Sequence, residues 1–165
     1  MATPSSLNSN ETGVCHAYDN KYLLVEYPAG QCNGDVLNAV YYQTYSCFDR
    51  TYVTCDPKSK TAEITSYYCS DCNCSESGSI KVSLGCDKDT GAIYSCESTI
   101  TKMPSSISTF KYVDQHCGGE PYYAQMEATN VCFNSTVVQC TDTSLTMEKY
   151  SDADCTGQAT PYNDH

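Results

Sequence analysis

The feature that most constrains this 165-residue chain is the recurring order of its thirteen cysteines. The pattern Cys-Phe-x-x-Thr-x-Val-x-Cys is written twice, over residues 47–55 and 132–140. A second pattern, Lys-Tyr-x-Asp-x-x-Cys-x-Gly, also occurs twice, over 111–119 and 149–157. Self-similarity at a fixed spacing predicts a repeat architecture, in which each repeat is one small supersecondary unit.

The cysteine register, which leaves out Cys69 and Cys74, divides the chain into three-cysteine units of about 40 residues, the last of which is cut short. We expect residues 1–14 to be a flexible N-terminal segment and residues 15–165 to form a single β-repeat domain. The predicted units are 15–54, 55–95, 96–139 and 140–165.

The composition explains why such a chain needs its cysteines. It has only three Phe, few aliphatic residues and a formal net charge of −11, a balance that buries little apolar core. Each disulfide contributes about 2–4 kcal/mol by restricting the unfolded chain. Because disulfides persist in oxidising compartments, we expect a secreted, extracellular protein.

Three N-glycosylation sequons agree with that compartment and predict a glycoprotein: Asn10, Asn73 and Asn134. The first residues lack the basic and apolar regions of a signal peptide, as expected of a mature protein or one trimmed of its leader. No apolar run is long enough to span a membrane. The acidic balance argues against nucleic acid and against anionic membrane surfaces as partners.

The alternation of apolar and polar residues within the units predicts β-strands. Residues 79–85 alternate Ile80, Val82 and Leu84 with polar neighbours, which is the strand period of two. Gly, Asn, Asp and Pro occupy the intervening turns. The predicted fold is an all-β, disulfide-stapled antiparallel meander, sandwich- or solenoid-like, with about three strands per unit and about ten to twelve in all.

The Lys-Tyr-x-Asp-x-x-Cys-x-Gly pattern has the residues that a tight corner between strands, held by a disulfide, requires. Tyr buries a large ring, Asp starts the turn, Gly permits a positive φ, and Cys fixes the corner covalently. Tandem corners of this kind, each followed by a strand-ending Cys, resemble the cysteine repeats of secreted or lipid-anchored surface proteins of amoebae and slime moulds, including the ponticulin-like proteins. The resemblance implies a role at a cell surface or in a matrix, and it implies no catalytic residue.

Two short motifs have metal-binding alternatives. "CSDCNC", 69–74, has a spacing that can hold zinc, but with ten other cysteines present we favour disulfides. "DKDTG", 87–91, resembles the start of a calcium loop, yet Ser98 stands where such a loop needs a bidentate Glu. A hairpin turn explains these residues better. We therefore predict no metal and no cofactor.

The sequence also lacks a set of residues that would support an enzymatic mechanism. Two of the three histidines, His16 and His116, adjoin cysteines, and His165 ends the sequence. A Cys-His hydrolase requires a free thiolate, whereas Cys15 and Cys117 fall in the disulfide register. We predict that the protein is not an enzyme.

Several of the fifteen tyrosines form adjacent pairs at 41–42, 67–68 and 122–123. On a strand, the two rings of a pair face opposite sides of the sheet. Outward rings would suit a sugar-binding or self-assembly surface, although the chain has no Trp. We favour the alternative that the rings cover a thin core on both faces.

An odd number of cysteines leaves at least one thiol unpaired or bonded to another chain. Strict up-and-down order would pair Cys32 with Cys55, Cys47 with Cys72, Cys117 with Cys140 and Cys132 with Cys155. The candidates for the odd thiol are Cys15, Cys69 and Cys74. The predicted disulfide residues, one of them unpaired or intermolecular, are Cys15, Cys32, Cys47, Cys55, Cys69, Cys72, Cys74, Cys86, Cys96, Cys117, Cys132, Cys140 and Cys155.

These features predict a structural or adhesive component of a cell surface, extracellular matrix or filament. Self-association would use unpaired edge strands or an intermolecular disulfide. One alternative is a carbohydrate-binding, lectin-like module that uses exposed Tyr and Asp or Asn. A third is a secreted hydrolase inhibitor, as many cysteine-dense folds are.

Overall fold

The computed structural model describes residues 20–141 and 144–161, and these residues form strands, turns and loops without any helix. Fourteen strands occur in this part of the chain, and their pairings are antiparallel. The prediction of an all-β, disulfide-rich fold is confirmed. The strand number exceeds ten to twelve because three strands have only two residues, too short for an alternating pattern to show.

Six strands form the largest sheet. Their bounds are β1 Tyr22–Gly30, β2 Asn33–Gln43, β7 Gly85–Cys86, β8 Ile93–Glu97, β9 Ser106–Lys111 and β10 Tyr123–Ala128. Their order across the sheet is β7-β8-β1-β2-β10-β9. The sheet therefore draws its strands from separate parts of the chain.

Two smaller sheets each follow chain order. The N-terminal small sheet contains β3 Cys47–Phe48, β4 Thr51–Asp56, β5 Thr61–Tyr67 and β6 Glu76–Ser83. The C-terminal small sheet contains β11 Cys132–Phe133, β12 Thr136–Cys140, β13 Leu145–Tyr150 and β14 Ala159–Pro161. Both begin with a two-residue strand that carries a cysteine.

One face of the six-stranded sheet, the inner face, packs against the N-terminal small sheet. Leu23 and Val25 on β1 meet Val53, Cys55 and Ala62 of the small sheet in one buried cluster. Successive strand residues point to opposite faces, so β1 also buries Tyr22 and Leu24 on the other side. This burial on both faces explains why β1 begins with an unbroken apolar run instead of an alternation.

The opposite, outer face is covered by a crossing segment, residues 98–105, which connects β8 to β9. Met103 packs on this face, and its backbone N–H donates to Met126 Sδ at 3.2 Å. The Tyr41 hydroxyl donates to the Thr101 carbonyl at 3.3 Å. Met126 itself is 0% exposed, so the segment seals the centre of this face.

The meander prediction is wrong for the six-stranded sheet. β8 pairs with β1, placing Cys96 opposite Leu23, although β9 follows β8 along the chain. β2 likewise pairs with β10. The cause is the apolar character of β1, which stabilises the fold most when strands flank it on both sides. The equivalence of the predicted units as repeats stays a prediction.

The tyrosine pair at 41–42 contributes to the core on both faces, as favoured above. Tyr41 lies in the outer-face cluster, and Tyr42 packs against the inner-face cluster. Burial, and next the neighbouring Tyr123, raise the pKa of Tyr42 to about 12. The second pair differs, because the Tyr68 ring is largely exposed.

Over the parts of the chain that the structure describes, no helix is long and apolar enough to cross a membrane.

Candidate functional site

Four cysteines occupy the corners between directly paired strands, and all four have an unusual backbone. Their φ angles lie between 54° and 57°, in the left-handed region that non-glycine residues rarely adopt. Each of these cysteines comes five residues after a tyrosine in the chain. The corner cysteines are Cys32, Cys72, Cys117 and Cys155.

The aspartates of the recurring Lys-Tyr-x-Asp-x-x-Cys-x-Gly pattern support two of these corners. Asp114 Oδ1 accepts from the His116 backbone N–H at 3.0 Å, and Asp152 Oδ1 accepts from the Thr156 N–H at 2.9 Å. In both cases backbone hydrogen bonds are the main cause that holds the pKa of the carboxyl below its usual value. The Asp of the recurring phrase therefore starts the turn, as predicted.

Three corner cysteines form disulfides with a cysteine on a two-residue strand. These bonds are Cys32–Cys86 to β7, Cys72–Cys47 to β3 and Cys155–Cys132 to β11. The fourth corner cysteine, Cys117, is an exposed free thiol.

A second class of cysteine lies at or next to the last residue of a strand. Cys55 on β4 and Cys96 on β8 form a disulfide that joins the N-terminal small sheet to the inner face of the six-stranded sheet. Cys55 is 1% exposed, so this bond lies within the core. Cys140 ends β12 in the corresponding place and is an exposed free thiol.

Chain order predicted only part of this connectivity. Cys47–Cys72 and Cys132–Cys155 form as expected within the small sheets. The expected pair Cys32–Cys55 is wrong, because β8 lies beside β1 and this pairing brings Cys86 to Cys32 and Cys96 to Cys55. The expected pair Cys117–Cys140 is wrong as well, since both cysteines are free thiols.

The "CSDCNC" stretch has no cysteine available to bind zinc. Cys69 and Cys74 form a disulfide with each other, and Cys72 bonds to Cys47. Cys69 and Cys74 were two of the candidates for the odd thiol, and the structure corrects that prediction. The third candidate, Cys15, lies outside the described residues, as do Asn10, His16 and His165.

The two described sequons both lie at exposed positions. Asn73 follows Cys72 in the corner loop, where its backbone N–H donates to Asp71 Oδ1 at 3.2 Å. Asn134 stands in the tight turn between β11 and β12, with a φ of 49°. Surface turns of this kind are accessible to glycosylation enzymes, and glycosylation itself stays a prediction.

The candidate calcium loop is a hairpin turn between β7 and β8. The Asp87 carboxylate accepts from the Asp89 backbone N–H and from the Thr90 hydroxyl, both at 2.9 Å. Gly91 has a φ of 75° and donates its N–H to the Asp87 carbonyl. Among the described residues, no group of three or more His, Cys, Asp or Glu is arranged to hold a metal ion.

His116 is engaged with its own corner. Its Nδ1 lies 3.2 Å from Asp114 Oδ1, and its ring is largely exposed. The adjacent Cys117 thiol is free, although it was expected to be oxidised. The imidazole is thus oriented by a carboxylate two residues away in the turn.

Two glutamates on the outer face were not predicted as site residues, because no motif in the sequence marks them. Glu26 on β1 and Glu97 on β8 line a cleft of about 820 Å³ beside the crossing segment. Partial burial raises the pKa of Glu26, and the Glu97 charge adds to this. The two residues are far apart in the chain, and only the β1–β8 pairing brings their strands together.

Glu26→Gln is expected to raise the free energy of unfolding at pH 7 by less than about 1 kcal/mol. A raised pKa means that folding disfavours the ionised carboxylate, so its destabilising effect grows as the pH rises through the unfolded value of about 4.3. At pH 3 the carboxyl is protonated in both states, and the difference from wild type should vanish. Urea unfolding at the two pH values measures this.

Glu76→Gln, at an exposed position on β6, serves as the control and should change the free energy of unfolding by less than about 0.5 kcal/mol at either pH. A gain from Glu26→Gln that is equal at pH 3 and pH 7 would contradict the electrostatic explanation.

No protein-family model, no curated protein and no solved structure matches this chain.

Proposed function

We propose that this protein is a secreted, non-enzymatic glycoprotein that serves as a structural or adhesive component of a cell surface, extracellular matrix or filament, and that copies of it join through a disulfide. The observation that carries the proposal is the exposed Cys140 thiol, at a strand end where the related cysteines form a bond between sheets.

Counting cysteines supports a bond outside the chain. The five disulfides among the described residues use ten of the thirteen cysteines, and the other three are Cys15, Cys117 and Cys140. Only one pair can form among three thiols within one molecule. In the oxidising environment that five intramolecular disulfides indicate, the remaining thiol is available to another molecule.

The position of Cys140 favours it as the contact between copies. Its counterparts Cys55 and Cys96 form a disulfide with each other, and this bond joins two sheets. A second copy that presents its own Cys140 across a two-fold axis would make the same kind of bond, and such a contact is self-complementary.

An edge strand offers a second contact. β6 is exposed along most of its length at the edge of the N-terminal small sheet, and Ile80 on it is 64% exposed. An unpaired edge presents backbone donors and acceptors to another strand. Since each copy carries a net charge of −11, a covalent bond would offset the repulsion between copies.

Cys140→Ser is expected to abolish a covalent dimer that the wild-type protein forms when it is produced in an oxidising compartment. The serine has a similar volume but forms no disulfide. Non-reducing electrophoresis and peptide mapping, with free thiols alkylated first, measure the dimer and locate its bond.

Cys117→Ser is the matched control, because it removes the other exposed free thiol in the described part of the chain. This variant should keep the dimer. The proposal fails if the wild-type protein is a monomer, or if mapping finds Cys140 bonded within its own chain.

A further inference from the structure

A cleft of about 840 Å³ lies between the six-stranded sheet and the C-terminal small sheet. β1, β2 and β10 supply one wall, with Asn38, Gln125 and Glu127, and the C-terminal small sheet supplies Val138 and Met147 on the other. This volume is within the range of about 300–1,000 Å³ that ligand-binding clefts occupy. Neither Cys117 nor Cys140 lines the cleft.

Asn38 is the buried polar group of this cleft. It is 4% exposed and sits between Tyr27 and Glu127 in the strand register, with both neighbours also lining the cleft. Its side chain makes no hydrogen bond to any other residue that the structure describes. Because no fully buried side-chain N or O atom in that part of the chain lacks a partner, the Asn38 amide must open onto the cleft. It offers both donors and an acceptor to a ligand.

The polar groups beside Asn38 are held in place by one another. The Tyr123 hydroxyl donates to Gln125 Oε1 at 2.8 Å, and Gln125 Nε2 donates to Glu127 Oε1 at 2.7 Å. This chain aligns an amide and a carboxylate along one strand. Such a preformed row costs little conformational entropy when a ligand binds.

Aromatic rings provide the apolar part of the lining. Tyr27 and Phe133 both line the cleft, and their ring centroids lie 6.2 Å apart. The charged side chains among the described lining residues, Asp89 and Glu127, are both acidic, and no Lys, Arg or His lines the cleft. An anionic ligand would meet uncompensated negative charge.

We infer that this cleft binds a neutral saccharide. Amide and carboxylate side chains form hydrogen bonds with the hydroxyl groups of a sugar, as donor and acceptor respectively. The aromatic rings pack against its C–H faces, which are apolar. A neutral polyol satisfies the open Asn38 amide without adding charge to an acidic cleft.

Such a saccharide has two possible sources. Asn134 lines the cleft at its edge, so a glycan attached to this sequon would start beside the site. A glycan of another molecule is the second source. Both have the same chemistry, and protein produced without glycosylation, which keeps the Asn134 side chain that lines the cleft, separates them.

The test is an oligosaccharide array that contains neutral members and their sialylated or sulfated counterparts, followed by calorimetry with the best neutral member. We expect the unglycosylated protein, produced in the bacterial periplasm so that its disulfides form, to bind a neutral oligosaccharide and to bind its anionic counterparts at least about tenfold more weakly. Adding Asn38→Leu should weaken binding about tenfold or more. If the attached glycan occupies the cleft, glycosylated protein should bind the array less than the unglycosylated protein does; equal binding assigns the site to a foreign glycan.

Gln139→Leu is the control, since it changes an exposed amide on β12 that does not line the cleft, and it should keep full affinity. Glu127→Gln preserves the shape of the site and should weaken binding about tenfold even if Asn38→Leu misfolds. Thermal unfolding checks that each variant is folded. The inference is overturned if no neutral oligosaccharide binds the unglycosylated protein, if anionic sugars bind best, or if the folded cleft variants bind as well as the control.

Discussion

Replacing both Cys55 and Cys96 by alanine is expected to lower the free energy of unfolding by about 4 kcal/mol. The disulfide joins residues 41 positions apart, and a cross-link over that span removes much of the freedom of the unfolded chain. It also lies in the inner-face cluster, where Cys55 packs with Leu23 and Val53. Urea unfolding of the oxidised double variant measures the loss.

The matched control is the double variant Cys69→Ala/Cys74→Ala. That disulfide joins residues only five positions apart in a corner loop, so its removal should cost about 2 kcal/mol. Equal losses in the two double variants would show that the span of the cross-link does not set its contribution.

Met126→Ala is expected to lower the free energy of unfolding by about 3 kcal/mol. The side chain is 0% exposed at the centre of the outer face, and truncation leaves a cavity that the flanking strands cannot close. The substitution also removes the sulfur that accepts from the Met103 N–H. Urea unfolding gives the free energy, and hydrogen exchange of the Met103 amide reports whether the crossing segment loosens.

Leu145→Ala provides the comparison, because Leu145 is an exposed apolar residue on β13. It should change the free energy of unfolding by less than about 0.5 kcal/mol. If Met126→Ala were as mild as Leu145→Ala, the outer face would not be a packed core.

The local elements were predictable from the sequence because their signals are local. The β-branched and Tyr-rich stretches became β2, β5 and β6, and the recurring Asp and Cys marked corners. The bonds Cys47–Cys72 and Cys132–Cys155 also followed, since each closes a corner within a sheet that keeps chain order.

The long-range arrangement was not predictable in the same way. Spacing along the chain says nothing about β8 leaving β9 to pair with β1, and this pairing decides two disulfides. The cleft has no motif either, because Asn38 and Glu127 meet through the β2–β10 register. Its open amide becomes recognisable only once burial and hydrogen bonding are known together.

The pairing of β1 with β8 also means that β1 must wait for its partner strand while the polypeptide is synthesised. Tyr22 leaves the ribosome long before its partner Glu97, by several seconds at about 5–20 residues per second. During that delay β1 lacks a neighbour on one side, and Cys47 and Cys55 are synthesised before Cys86, the native partner of Cys32. A disulfide from Cys32 to either of them would have to be exchanged before the native bond could form, so we expect a thiol–disulfide isomerase to speed the maturation of this protein.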